Sequence, residues 1–388
     1  CYYPREASGM FIEQAFIQTV KTVENLRILD LCAAPGGKTT HLSDLIGQDS
    51  ILVSNEVIRP RSVVLSETVA KWGRANTIVT QNDPAVYGKM KGYFDIIMID
   101  APCSGEGMFR DKTAVDEWSI ENARLCEVRQ KRIIEDVWPS LKENGLLIYS
   151  TCTFNPGENE ENIRWLITNK EAECLSLDVL YFQGVSEIDY EGIYGYGFYP
   201  GRVRGEGFFI SVIRKTSGEK PEHVRVQRKS EFNPDKADIA FAEKVFMNDP
   251  QKLLKRGDDL ISLACDTGEF FFLFRNLSVV SGGTLLATRK KNDFLPSHEL
   301  AISQKIKMDA FPLTEISYNE ALAYLRRDNM VIPGLQDGWN LVTSQGVNLG
   351  FVKNIGRRIN NYFPVGWRVR MNMPEPGKEN IIRWKNGD

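Results

Sequence analysis

Two cysteines stand in short polar loops directly after apolar runs. Cys103 lies in 100–105 (DAPCSG) and Cys152 in 150–153 (STCT). A thiolate is a strong nucleophile, activated by a lowered pKa or a nearby base. A single cysteine of this kind is usually a small core filler. Two at adjacent strand ends, facing one pocket, are candidates for covalent chemistry. A structural disulfide is disfavoured by compartment, not by spacing.

A third loop suits a ligand. Residues 30–39 (DLCAAPGGKT) join an apolar run to a helical one. Gly36 and Gly37 let the backbone approach a ligand closely. The helix N-terminus behind them offers free N–H groups and positive potential. A P-loop needs glycine where Cys32 stands, and the fingerprint G-x-G-x-x-G is absent. The early part of the loop is glycine-poor and carries Pro35. These features favour a ligand less anionic than a triphosphate, such as S-adenosylmethionine. Glu56, at the next strand end, can accept from ribose hydroxyls. Asp83, at the one after, can accept from an adenine amino group.

A methyl donor and a thiolate together suit carbon-5 of a pyrimidine. That carbon is too weak a nucleophile to take a methyl group directly. Thiolate attack on carbon-6 makes carbon-5 enamine-like, and one hard step becomes several easier ones. An acid near ring N3 would stabilise developing charge, and Asp100, three residues before Cys103, is the candidate. A second thiol can assist elimination. The residues by themselves do not say which thiol attacks.

The elements that must position these groups alternate. Runs 27–32, 50–56, 77–83, 95–100 and 145–152 have strand length and composition. Helical stretches 38–46, 60–72 and 121–141 lie between them. Such alternation predicts an α/β fold with a parallel sheet covered on both faces. Ligands bind outside the carboxyl ends of such strands, so Asp30, Cys32, Glu56, Asp83, Asp100, Cys103 and Cys152 are expected on one rim. Segment 158–169 reads as a helix, 194–205 as turn-rich and 207–215 as a last strand. Residues 216–233 read as a linker and 235–290 as a region of weak pattern. Segment 295–373 reads as a small α+β or barrel-like domain.

The chain has 388 residues, 42% hydrophobic and 26% charged. This is the balance of a soluble globular protein of two or three domains. No apolar run approaches a membrane span, and no signal peptide is visible. Cys1 in place of Met predicts that the sequence begins inside a longer chain. Seven cysteines without a CxxC pair, and three histidines, argue against a zinc site and a disulfide framework. A reducing cytoplasm fits best. The net charge of −3 hides asymmetry: 156–191 carries −7, 202–231 carries +4 and 351–388 carries +5. Separate basic stripes suit a polyanion.

Residues 30–39, 100–105 and 150–153 resemble motifs I, IV and VI of the RsmB/RsmF and Nol1/Nop2/Sun family of RNA cytosine-5 methyltransferases. Segment 3–11 (YPREASGMF) is similar to the stretch before motif I, and 202–209 (RVRGEGFF) to the last-strand motif. Segments 296–301 (PSHELA) and 349–353 (LGFVK) resemble the PUA-like domain of one branch of the family, which acts on 16S rRNA. The resemblance implies a Rossmann-like S-adenosylmethionine-dependent fold with a mostly parallel seven-stranded sheet over 1–216. A linker and small middle domain follow at 217–290, then a PUA-like RNA-binding domain at 291–374 and a tail at 375–388.

It also implies roles. Cys32, Ala33, Ala34, Pro35, Gly36, Gly37, Lys38, Glu56, Asp83 and Asp100 match cofactor contacts. Cys152 matches the nucleophile and Cys103 the thiol needed for release, although DNA enzymes carry their nucleophile in a Pro-Cys pair like Pro102-Cys103. Lys38 matches a residue that reaches the target base. The expected partner is RNA, 16S rRNA or the small ribosomal subunit, contacted by the 202–231 stripe and the C-terminal domain. No metal and no membrane partner is expected, and the protein is expected to be a monomer. Family members usually carry a further N-terminal region that aids RNA binding, so weak RNA binding is expected of this chain. Methylation of tRNA or another RNA, and a non-catalytic RNA-binding module, are the alternatives.

Overall fold

The computed structural model describes residues 5–218, 232–247, 249 and 252–371. The chain begins with α1 (Ile12–Thr19) and then alternates β1 (Arg27–Asp30), α2 (Gly37–Leu45), β2 (Ile51–Asn55), α3 (Arg59–Trp72), β3 (Thr77–Thr80), α4 (Pro84–Tyr87) and β4 (Phe94–Asp100). Helices α5 (Lys112–Glu117) and α6 (Ile120–Val137) precede β5 (Leu141–Thr151). Next come α7 (Glu160–Asn169), β6 (Ala172–Leu175), β7 (Val185–Tyr190), β8 (Ile193–Phe198) and β9 (Phe208–Lys215).

Strands β3-β2-β1-β4-β5 are parallel neighbours, and β9 runs antiparallel beside β5. Chain order reverses between β1 and β4, which opens a crevice at their carboxyl ends. The apolar runs are continuous because both faces are covered. Leu29, Val53, Ile97 and Leu147 point to the face under α6 and α7. Their neighbours Ile28, Leu52, Ile96 and Ile148 point to the opposite face, with Phe16 and Leu42. The one-residue alternation fixes register, since a slip would swap the two faces.

The sheet extends beyond the seven expected strands to ten. Part of 194–205, read as turn-rich, forms β8, which pairs with β7 as a hairpin. Its glycines have a packing reason: a Cβ on Gly195 would lie 2.4 Å from the Phe209 ring.

The region of weak pattern holds α8 (Lys236–Val245), β10 (Leu253–Arg256), β11 (Asp259–Ser262), α9 (Thr267–Asn276) and β12 (Val279–Gly282). Strand β12 completes the outer edge of the large sheet beside β3. Phe270, Phe271 and Leu273 of α9 join the same core. Glu269 clamps Arg27 at 2.7 Å and accepts from the Tyr93 hydroxyl.

Strands β13 (Thr284–Lys290) and β14 (Asp293–Pro296) complete a four-stranded sheet with β10 and β11. After α10 (His298–Ile302) come β15 (Leu313–Glu315), α11 (Tyr318–Arg326), β16 (Gly338–Ser344), β17 (Val347–Asn354) and β18 (Ile359–Asn361). The last four strands form another sheet, and Leu260, Leu286, Leu300, Leu341 and Phe351 make one core between the two.

Candidate active site

The first loop leaves β1 at Asp30, whose carboxyl is fully buried. Thr39 Oγ1 donates to its Oδ2 at 2.6 Å, and Oδ1 has no partner. Burial pushes this carboxyl up to about 7, against the Thr39 hydrogen bond and with help from nearby Asp100. Gly36 has φ +111°, a left-handed value that favours glycine, and a Cβ there would lie 2.8 Å from Thr68 Cγ2. A cleft of about 210 Å³ opens beside the loop. Cys32, Ala33, Ala34, Pro35, Gly37, Lys38 and Asp100 line it, with Gly9 and Met10 opposite. Burial pushes the Cys32 thiol up, and the surrounding carboxylates add to it, so it stays protonated.

At the neighbouring strand ends, Lys38 Nζ lies 2.8 Å from Asp100 Oδ2, and Ser150 Oγ donates to Asp100 Oδ1 at 2.8 Å. Burial alone would lower the lysine pKa. The charge and hydrogen bond of Asp100 outweigh it, so the ammonium is held on. Asp100 is therefore ion-paired with Lys38 at the end of its strand.

The two thiols meet. Cys103 Sγ and Cys152 Sγ are 2.9 Å apart, and the Cys152 N–H lies 3.2 Å from Cys103 Sγ. The Cys103 thiol is pushed well up, first by its hydrogen bond with Cys152 and then by burial. The Cys152 thiol is pushed down. The Cys103 hydrogen bond is the main cause, opposed by burial and aided by Lys38. The residues alone left the thiol order open, and either sulfur can donate in the contact between them.

The buried frame around these loops escaped sequence reasoning. Gly107 N–H donates to Cys152 O at 2.8 Å, and Gly207 N–H to Gly107 O at 2.9 Å. A Cβ on Gly207 would lie 2.4 Å from Gly107 Cα. Glu158, Gln130 and Asn159 tie the two loops to the helices behind them. Their only signal was polar residues in the turn 155–162. The Glu6 carboxylate accepts from the N–H groups of Ser8, Gly9 and Glu206, joining two segments that the resemblance had marked.

Other expected residues sit farther out. Glu56 is buried and turned into its own loop, accepting from Ile58 N–H at 2.9 Å. Asp83 caps α4 and pairs with Arg132 at 3.1 Å. Neither lines the cleft of Lys38 and Asp100. Within the basic stripe, residues 219–231 lie outside the described residues, as does the tail beyond 371. Two of the stripe's neighbouring basic residues make contacts within the fold. Arg214 pairs with Glu173 at 2.8 Å, and Lys215 is buried, donating to the carbonyls of Trp138 and Leu141. Trp367 packs against His298, with Lys71 over its ring at 4.6 Å. Among the described residues no metal-binding cluster occurs, and no helix is long and apolar enough to cross a membrane.

Residues 17–214 match the family model for 16S rRNA methyltransferase RsmB/F, and residues 311–369 match that of the methyltransferase RsmF PUA domain. A Shewanella loihica protein named ribosomal RNA small subunit methyltransferase F is 30% identical over 398 residues, spanning 94% of this chain and 76% of its own. One of the same name from Shewanella woodyi is 32% identical over 384 residues, spanning 94% and 78%. The solved structure of PH0851 is 24% identical over 55% of this chain and 47% of its own, with a TM-score of 0.50, and shares the fold. On these matches and this geometry, the chain belongs to the RsmB/F family of 16S rRNA methyltransferases, with an RsmF-type PUA domain following the catalytic sheet.

Proposed function

We propose that this protein methylates carbon-5 of cytosine in RNA, with 16S rRNA as the substrate, through a covalent bond between Cys152 and carbon-6. The observation that carries the reading is the thiol pair at 2.9 Å beside the Lys38–Asp100 ion pair. S-adenosylmethionine, when bound, supplies an electrophilic methyl group. The residues present fit it: the cleft sets acidic Glu6 and Asp100 beside basic Arg5 and Lys38, a mixed lining suited to a ligand that carries both a carboxylate and cationic groups, and the buried Asp30 Oδ1 lacks a partner under the loop. Residues 32–38 and Asp100 would hold it, with Glu56 and Asp83 at the neighbouring strand ends.

The chain's own groups do the rest. Cys152 Sγ, as thiolate, bonds to carbon-6, and the ring's double-bond electrons shift toward carbon-5 and the ring carbonyl. Lys38 donates to the ring where negative charge grows, and Asp100 keeps that lysine charged. The Asp100 carboxylate can also accept from the exocyclic amine that distinguishes cytosine from uracil. After carbon-5 gains its methyl group, its proton passes to water and the carbon–sulfur bond breaks. Cys103 then returns its S–H hydrogen bond to the departing Cys152 sulfur. The target base must be unstacked, because carbon-6 is shielded within a helix.

The test is methyl transfer to small-subunit rRNA, read as 5-methylcytosine by nucleoside mass spectrometry. The reading expects product with the unmodified chain and none with Cys152→Ala. Methylated carbon-5 with Cys152→Ala would reject it.

A further inference from the structure

The turn between β5 and α7 carries two buried neighbours that divide the thiol loops between them. Glu158 Oε2 accepts from Ser104 N–H at 3.0 Å and from Gln130 Nε2 at 2.8 Å. Gln130 Nε2 also reaches Pro102 O at 3.0 Å. The two residues flanking Cys103 are thereby held from below. Asn159 does the same on the other loop. Its Oδ1 accepts from Thr151 Oγ1 at 2.6 Å, and its Nδ2 donates to Thr153 O at 3.0 Å. Those are the residues flanking Cys152.

Two details separate this arrangement from ordinary turn chemistry. Asn159 occupies the N-cap position of α7, where asparagine normally accepts from a first-turn N–H, yet it makes no such bond. Glu158 is fully buried with its Oε1 lacking a partner, a costly placement for a carboxylate. Both side chains forgo local bonding for contacts that bracket the thiols.

We propose that Glu158 and Asn159 are positioning residues, one for each thiol, so that the entry turn of α7 sets the separation of Cys103 and Cys152. The catalytic consequence rests on the function proposed above; the geometric one does not. Loss of the Glu158 acceptor frees the Cys103 loop and slows release. Loss of Asn159 frees the Cys152 loop and slows attack.

The experiment compares the unmodified chain with Glu158→Met, Asn159→Leu, Glu158→Gln and Cys103→Ala. The first readout needs no RNA: the rate at which a diazene oxidant closes a Cys103–Cys152 disulfide. The two thiols give up two electrons and two protons, and the reagent becomes the hydrazine. Closure is expected to slow by about tenfold or more in Glu158→Met and Asn159→Leu, since small displacements degrade a near-attack geometry steeply. Glu158→Gln keeps an acceptor for Ser104 and Gln130 and is expected to restore the rate. The second readout is the covalent protein–RNA adduct formed with S-adenosylmethionine. Glu158→Met should accumulate adduct, as Cys103→Ala does, and Asn159→Leu should form less. Unchanged closure in cooperatively folded variants would overturn the proposal. Slowed closure with no adduct from any chain would support the positioning role and reject the covalent mechanism. Should Glu158→Met fail to fold, Gln130→Met removes the Pro102 contact and is judged by the same closure rate.

Discussion

Asp30→Asn isolates one electrostatic cost beneath the cofactor loop. The Asp30 carboxyl is fully buried and raised from 3.8 to about 7. The folded state therefore binds its proton more tightly than the unfolded state does. Between about pH 4 and pH 7 the folded chain holds more protons, so stability falls as pH rises through that window and is level above it. A shift of about 3 units corresponds to about 4 kcal/mol, at about 1.4 kcal/mol per unit. Asparagine keeps an acceptor for Thr39 Oγ1 and never ionises. The stability gained by Asp30→Asn should thus be about 4 kcal/mol larger at pH 8 than at pH 4. For a domain of this size that is on the order of 10 °C in melting temperature. Paired thermal and urea melts across that range measure it, and the titrating groups distant from Asp30 cancel in the difference. Parallel pH curves for the two chains would show that Asp30 is ionised at neutral pH and refute the reasoning.

Three further outcomes are expected. In Cys103→Ala the Cys152 thiol loses the hydrogen bond that lowers its pKa, so its alkylation profile should shift to higher pH; an unchanged profile would leave Lys38 and a backbone hydrogen bond as the causes. Gly207→Ala forces a Cβ to 2.4 Å from Gly107 Cα, so it should cost about 1–3 kcal/mol of stability and lower kcat more than it alters cofactor affinity; calorimetry and titration separate the two. His298 is held down to about 4 by burial and by Lys71, so its contribution is intact above about pH 6.5 and lost as pH falls toward 4; His298→Gln should flatten the acid limb of the melting curve.

The fold was legible where the chain's pattern is local. The apolar runs 95–100 and 145–152 form strands that end at Asp100 and Thr151, and the glycine pair after Asp30 starts a helix, because burial on two faces favours such continuous apolar runs. The helix expected over 121–141 stops at Val137, because Pro139 follows and Leu141 already begins β5. Strand β12 was not legible, since its partner β3 lies some 200 residues earlier and nothing in 279–282 announces it. The meeting of Cys103 and Cys152 followed from their strand ends. The roles of Glu158 and Asn159 did not, because a buried polar clamp and a solvated turn have the same composition.

The central claim is that Cys152 attacks and Cys103 releases. Its most direct test is a denaturing gel of Cys103→Ala and Cys152→Ala, each incubated with S-adenosylmethionine and small-subunit rRNA. The account predicts a stable protein–RNA adduct with Cys103→Ala and none with Cys152→Ala. An adduct with Cys152→Ala alone would contradict it and reverse the two thiols.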